Sequence, residues 1–527
     1  MKTNTLVRNN ASPVAARPSR VAASASKRFW SRLSARWHSP LLSGRVFFPP
    51  GASPVLHYWL QSFRAMLAVA AFSGCLLPLR GADNTDAEIQ ALREQIRLLD
   101  QRLTQLQQQQ QQLKDQQAAA AAKAVADQAA AVATAPKIAI TDKGFTLASG
   151  DGANSIRIGG LVQLDSRLFF NDGGGVLNNT FVLRRARPIV EGAFDKIYSF
   201  QFVSELGGTS TPSILDANLG IALNDALQFK FGKFKTPVGL EWLQSDSWTF
   251  FDERSLVTDL MPNRDLGIQV GGRFAGGVVT YAAGVFNGVP DSTNSSNADF
   301  DNDKDVFGRL YVQPFKTSQT SLLQGLAFGV GASVGREKGA SAVTSGYKTD
   351  GQQTFFKYRS TVVGDGQVWR VSPQAEYRHG PFGAIGEYVV STVNARPAAA
   401  KPKTELENKA WQLAAGYVLT GENSSYTGVV PGHPFSWENG TWGAWEVVAR
   451  YADLKIDGKA FPLLADPAVN ADGATSVGLG LNWYLSRTVR TTFDFYQTRF
   501  DNLVPVSSTQ VLRQDERAFI TRFQISF

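Results

Sequence analysis

From about Gly144 onward, apolar side chains recur at every second position in short runs, broken by turn-forming residues. Between 518 and 527, Phe519, Phe523, Ile525 and Phe527 share one parity with Thr521, while Arg522, Gln524 and Ser526 share the other. A period of two predicts a strand with one oily face and one polar face. In a transmembrane barrel the oily face meets lipid and the polar face meets a water-filled lumen. Residues 477–485 and 490–498 repeat the alternation on either side of a four-residue connection, which predicts a hairpin with a short, periplasmic-type turn. Longer polar stretches at 288–305 and 336–354 read as extracellular loops. At roughly 24 residues per strand with its connection, residues 144–527 hold about 16 strands. The fold class expected is all-β, a transmembrane antiparallel barrel.

A different period governs residues 83–117. Ile89, Leu92, Ile96, Leu99, Leu103, Leu106 and Leu113 follow a 3,4 spacing, interrupted by Gln110. These are a and d positions of a coiled coil, surrounded by Gln and charged residues that leave a narrow seam. An amphipathic helix lying on the barrel is the alternative. Residues 118–143 form an Ala-rich spacer, as helix or as linker.

Residues 65–79 form an apolar stretch behind Arg64, the length of a signal-peptide core and too short to span a bilayer. Residues 1–82 therefore read as a leader, with a start codon placed too early. Charge supports that division. Residues 1–80 contain 11 basic and no acidic residues, which leaves 42 of the 53 Lys and Arg against all 45 Asp and Glu. The formal +8 belongs to the leader and carries no nucleic-acid inference. The single cysteine, Cys75, also lies in the leader, so disulfides and thiolate metal sites are not expected beyond it.

Three stretches in order resemble the phosphate-selective porin O/P family. They are Gly159-Gly-Leu-Val-Gln-Leu-Asp165, Phe181-Val-Leu-Arg-Arg-Ala-Arg187, and Phe229-Lys-Phe-Gly-Lys-Phe-Lys-Thr-Pro-Val-Gly-Leu-Glu241. Gly443-Ala-Trp-Glu446, Ala449-Arg-Tyr451 and Gly480-Leu-Asn-Trp-Tyr484 agree, and the terminal aromatic resembles the C-terminal signal of bacterial outer-membrane barrels. The resemblance covers roughly 144–527. It implies a homotrimeric, 16-stranded porin in the outer membrane of a Gram-negative bacterium, with a basic lumen that conducts inorganic anions such as phosphate. The coiled coil would then lie in the periplasm, with a possible partner there.

An anion pore displays Arg and Lys where the ion sheds water, and the Arg fork suits oxyanions. Arg184 and Arg185 match paired arginines of the family, and at least one must face the lumen. Lys230 points inward if Phe229 and Phe231 face lipid. Lys233 and Lys235 have the opposite parity and reach the lumen only through a bulge at Gly232 or at the strand's end. Arg167 and Arg187 are nearby candidates. By resemblance, Arg254 matches a basic position beyond the constriction, and Asp216 an acid that pairs with a luminal base. For any one of these, mere wetting of a luminal wall is the plainer reading.

Departures from the family pattern matter. Trp242 stands where the phosphate-binding lysine would be, and Leu161 where a luminal arginine would be. The arginine-dense external loop has no clear match, with Lys348, Lys357 and Arg359 the nearest candidates. Trp242, Trp248, Phe250 and Phe251 would give a greasy track for a sugar, or pack the constriction loop against the wall. Asp299, Asp301, Asp303 and Asp305 alternate in a loop that lacks the bidentate Glu of an EF-hand and reads as solvated. His379 and His433 sit beside turn residues, and no catalytic, cofactor or metal motif follows the leader. Three functions stay open: an anion-preferring porin, a general or carbohydrate-type porin, and an envelope tether with incidental conduction.

Overall fold

The computed structural model describes residues 85–170, 177–208, 211–398, 402–506 and 511–527. The leader and Cys75 lie outside the described residues. The first element is a long helix, α1 (Thr85–Thr134). Its a and d side chains from Ile89 to Leu113 are 46 to 65% exposed. The Ala-rich stretch continues the helix, since alanine has the highest helix propensity and no breaker occurs before Pro136. A hairpin absent from the sequence-based expectation follows, β1 (Lys137–Thr141) and β2 (Gly144–Ala148). Its turn requires Gly144, which has a φ of 100° and no room for a side chain beside the Ile158 carbonyl.

The barrel begins with β3 (Ser155–Phe170), β4 (Thr180–Phe194), β5 (Tyr198–Glu205), β6 (Ser213–Asn224) and β7 (Leu227–Lys235). It continues through β8 (Arg264–Phe274), β9 (Val279–Phe286), β10 (Asp305–Val312) and β11 (Ala327–Gly339). A separate two-stranded piece, β12 (Tyr347–Lys348) and β13 (Thr354–Phe356), interrupts the sequence. The wall resumes with β14 (Val362–His379), β15 (Phe382–Pro397), β16 (Thr404–Val418) and β17 (Ala444–Lys455). It ends with β18 (Gly473–Tyr484), β19 (Val489–Val506) and β20 (Val511–Ser526). Consecutive wall strands pair antiparallel, and β20 returns to β3, with Ser526 opposite Leu161 and Arg517 opposite Phe170. Sixteen strands thus close without a free edge, which satisfies every backbone ladder within lipid. Phe527 completes the seam by exchanging two backbone hydrogen bonds with Gly160, at 2.8 and 3.0 Å.

The expected parity is realised. On β3, Val162, Leu164 and Leu168 are exposed on the outer face, whereas Gln163, Asp165 and Arg167 are buried inside. On β20, Phe523 and Ile525 are exposed while Arg522 and Gln524 are buried. Polar residues inside and apolar residues outside invert the order of a water-soluble protein.

Short turns gather at one end, for example 380–381 and 485–488. Long connections gather at the other end: 236–263, 287–304 and 340–361. By the rule for outer-membrane barrels, the long-loop end is extracellular. Two connections at the short-turn end break the rule, 313–326 between β10 and β11 and a longer one. Residues 419–443 join β16 to β17 at the short-turn end.

Candidate functional site: the lumen constriction

The connection 236–263 folds into the barrel. It contains a one-turn helix, α2 (Leu240–Leu243), and a 3-10 turn, Leu256–Leu260. The far wall receives it with a set of aimed polar groups. The Glu387 carboxylate accepts the Leu240 and Glu241 amides at 2.7 and 3.2 Å. Asn482 Nδ2 and Arg490 Nη2 donate to the Phe250 carbonyl at 2.9 and 3.1 Å. Gln524 donates to the Ser247 carbonyl at 3.1 Å, and Gln163 to the Asp246 carbonyl at 3.1 Å. Every strand that supplies one of these groups shows its polar face to the lumen, so the parity of the wall sets the path of the loop.

Apolar packing holds the other side of the loop. Leu256, Val257, Leu260 and Met261 are fully buried against Tyr347, Phe355 and Phe356 of the β12–β13 hairpin and against Val389, Leu406 and Leu454 of the wall. Residues 419–443 reach in from the opposite end. The Tyr426 hydroxyl donates to the Leu240 carbonyl at 2.6 Å, and Gln244 donates to the Tyr426 carbonyl at 2.9 Å. Gly428, with a φ of 93°, lies against the Trp248 ring, so a side chain there would collide with it. The lumen is therefore narrowed from both ends.

The paired arginines explain themselves through a register shift. Gln163 stands opposite Arg185, but Leu164 stands opposite Leu183, so Arg184 is the extra residue of a bulge. The bulge lets both neighbours turn inward. Arg184 donates Nε and Nη2 to the two Glu253 oxygens, at 2.6 and 2.9 Å. Arg185 donates to Gln163 at 2.7 Å and lies 3.3 Å from Asp246 and 3.8 Å from Glu253. Arg187 pairs with Glu205 at 2.6 Å and with Asp246. Arg254 also pairs with Asp246 and donates to the Gln244 carbonyl at 2.7 Å. Arg522 from β20 bridges Asp165 at 2.6 Å and Glu253 at 2.8 Å, with Arg167 lying 3.3 Å from Glu253. Two loop carboxylates thus sit at the centre of a ring of guanidiniums. Burial opposes their ionisation, but Arg185, Arg254 and Arg187 hold Asp246 well below the usual carboxylate range. Arg184, Arg522 and Arg185 do the same for Glu253.

The lysines of β7 divide. Lys230 stands on the inward face with Phe234, its Nζ 5.2 Å from that ring centroid, and has no ion-pair partner among the described residues. Phe229 and Phe231 stack on each other on the opposite parity. Gly232 has a φ of 114°, and beyond it the next two ammonium groups end on loop carbonyls. Lys233 donates to Ser295 at 2.5 Å, and Lys235 to Trp242 and Gln244 at 2.8 Å each. Asp216 pairs with Arg264 at 3.2 Å.

Trp242, at the position of the missing lysine, is buried beneath three cations. Lys235, Arg254 and Arg264 lie 5.0, 5.1 and 5.5 Å from its ring. Trp248 is half-buried in its contact with Gly428. Leu161 is 3% exposed. Lys348, Lys357 and Arg359 stand outside this cluster, Arg359 pairing with Asp466 at 3.2 Å. Among the described residues no group of three or more His, Cys, Asp or Glu is arranged to hold a metal ion.

Arg309 of β10 was missed by sequence reasoning. Its inward guanidinium donates to the neutral Gln374 amide oxygen at 3.0 and 3.3 Å and lies 4.8 Å from the Tyr311 ring, with no carboxylate in ion-pair contact among the described residues. No motif surrounds it. Its parity with Phe307 and Tyr311, against the outward Val306 and Leu310, was the available signal.

A closed sixteen-stranded barrel with an inserted constriction loop defines an outer-membrane porin. The family model described as "Phosphate-selective porin O and P" matches residues 156–527, and the chain belongs to that family. Porin O of Pseudomonas aeruginosa is 25% identical over 426 residues, covering 73% of this chain and 92% of that protein. Among solved structures, the outer membrane channel DcaP of Acinetobacter baumannii aligns with a TM-score of 0.46 and 10% identity, covering 72% of this chain and 98% of that one. The trimer form of OmpT of Vibrio cholerae aligns with a TM-score of 0.44 and 12% identity, covering 71% and 100%.

Proposed function

We propose that this porin is an anion-preferring diffusion channel, with phosphate or polyphosphate among its solutes. One observation carries the reading: Lys230 and Arg309 are inward-facing cations of the wall with no carboxylate in ion-pair contact among the described residues. The denser arginine cluster does not carry it, because Glu253 and Asp246 neutralise much of its field. In this proposal Arg184, Arg185, Arg254, Lys233 and Lys235 fix the constriction loop, and Asp216 holds Arg264. Lys230 and Arg309 bias the passing ion. The packing of Trp242 and Trp248 inside the loop favours this reading over a sugar track along the same aromatics.

We further propose that three chains associate and that the exposed a and d stripe of α1 pairs in the periplasm, with other copies or with an envelope partner. Residues 83–117 would form that coiled coil, and the helical residues beyond it a spacer before the barrel.

The deciding measurement is the single-channel reversal potential in a KCl gradient, followed by phosphate titration of the chloride current. Anion selectivity with block at low phosphate is expected. An unselective current untouched by phosphate would sink the reading in favour of a general porin, and deletion of 83–136 with full conduction but a lost envelope phenotype would favour a tether.

A further inference from the structure

The outer wall carries a second arrangement of cations, on the face turned away from the lumen. On β11, Val334 is exposed on the outer face, and Arg336 and Lys338 follow on the same parity, toward the extracellular end. Glu337, between them, is buried inside. Arg336 stands opposite Gln367, just above the outward pair of Val334 and Trp369. It is exposed, and its guanidinium has no hydrogen bond or ion pair among the described residues. It lines a groove of about 330 Å³ with Asp303, Lys304, Val334, Gly335 and Gln367. Asp303 pairs with Lys338 at 3.1 Å and Lys304 with Asp299 at 2.5 Å, which leaves Arg336 as the cation of the groove with no ion pair among the described residues.

Further round the wall the pattern recurs. Lys409 of β16 and Lys455 of β17 are direct cross-strand partners, both half-exposed and both outward. Like charges in register repel. Each lysine spends one direction on a carboxylate, Glu407 at 2.7 Å or Asp501, and keeps donors free. Below them Trp411 and Tyr451 stack at 5.1 Å on the same outer face. Arg499 of β19 is outward and exposed at the same end, without an ion pair among the described residues.

Outward aromatics mark the edge of the hydrocarbon, so cations just beyond them stand at headgroup height. The guanidiniums of Arg336 and Arg499, without an ion pair among the described residues, can take an external anion there, and the ammonium donors of Lys409 and Lys455 not used by Glu407 and Asp501 can add to it. We infer that the extracellular rim of the β11–β19 wall binds the phosphate groups of the outer-leaflet glycolipid. Arg336 takes one phosphate in its groove, and Lys409 with Lys455 takes another. The site faces away from the channel and stands independently of the anion-channel reading.

The test uses the full chain in detergent and native mass spectrometry with three probes: diphosphoryl lipid A, its dephosphorylated counterpart and inorganic phosphate. Diphosphoryl lipid A is expected to stay bound, and the combined variant Arg336→Gln, Lys409→Gln, Lys455→Gln to hold it roughly tenfold more weakly or worse, given the usual gain per cation near an anionic lipid surface. Single-channel conductance of the variant should match the parent, which also reports folding. Equal binding of the dephosphorylated lipid overturns the proposal. So does displacement by inorganic phosphate at equal concentration, which would mean a free-anion site. If the combined variant fails to fold, Arg336→Gln alone decides, and unchanged lipid binding in it overturns the proposal.

Discussion

Two groups of luminal cations can be set side by side. Arg184, Arg185, Arg187, Arg254 and Arg522 crowd around Asp246 and Glu253, within ion-pair distance of carboxylates. Lys230 and Arg309 stand on β7 and β10 of the wall, the first with no hydrogen bond or ion pair among the described residues and only the longer-range field of Asp216, the second on a neutral amide. The first group is richer in charge and poorer in field. A guanidinium bound bidentately to a carboxylate presents little net charge to a passing ion, and its fork is already occupied. What the contrast teaches is that a basic motif in a pore reports loop anchoring as readily as selectivity. The number of uncompensated cations is the quantity that bears on ion choice.

The sharpest way to break the comparison is to remove the central carboxylate. Glu253→Gln leaves Arg184, Arg167 and Arg522 short of a counter-charge in a buried site, which typically costs about 3–5 kcal/mol. The variant should lose thermal stability and show a noisier, larger conductance as the loop detaches. An unchanged melting temperature and a quiet channel would show that Glu253 anchors nothing.

A second test inverts the uncompensated pair. Lys230→Glu with Arg309→Glu should drop the anion-to-cation permeability ratio roughly tenfold or more, since each charge reversal near the ion path changes its energy by about 1 kcal/mol even in high dielectric. The parallel variant Arg184→Gln should move that ratio far less. If the two variants shift the reversal potential equally, the distinction between the groups fails.

A third test concerns Asp259 in the apolar part of the inserted loop. Burial pushes its carboxyl up to about 8, although Lys348 N–H and the Ser292 hydroxyl donate to it at 3.0 and 3.3 Å. Folded chains then hold a proton that unfolded chains release above the usual carboxylate range. Stability from this group therefore falls as pH rises from about 4 to about 8, and is flat beyond. Asp259→Asn should melt higher than the parent at pH 8 and coincide with it near pH 4. A constant difference across that range would show that Asp259 is ionised throughout.

Strand parity made much of this legible in advance. The alternation along β18, β19 and β20 pointed to the barrel, and the flanking phenylalanines gave the direction of Lys230. Other features depended on register, which one strand does not reveal. That both Arg184 and Arg185 turn inward follows from a shift against β3, visible only when Gln163 and Leu164 are seen opposite Arg185 and Leu183. The partners of the arginines were equally hidden. Glu253 and Asp246 lie in a loop whose path is set by groups on distant strands, such as Glu387, Asn482 and Gln524. The entry of residues 419–443 from the short-turn end breaks the usual division between long and short connections, and no local pattern announced it.

The seam between β3 and β20 has a consequence for the order of events in folding. Leu161 and Ser526 are neighbours, yet almost the whole wall lies between them in the chain. Closing so long a loop comes late, because its entropy must be met before the contact gives anything back. Until then two strand edges stand open to any other chain. Arg522 and Asp165 lie on opposite sides of that seam, and Arg522 joins Asp165 to Glu253 only once it has closed. The constriction is thus completed only with the vessel that contains it. The Arg522 bridge works as a latch on a completed circle, added to the pairs that β4 already makes with the loop.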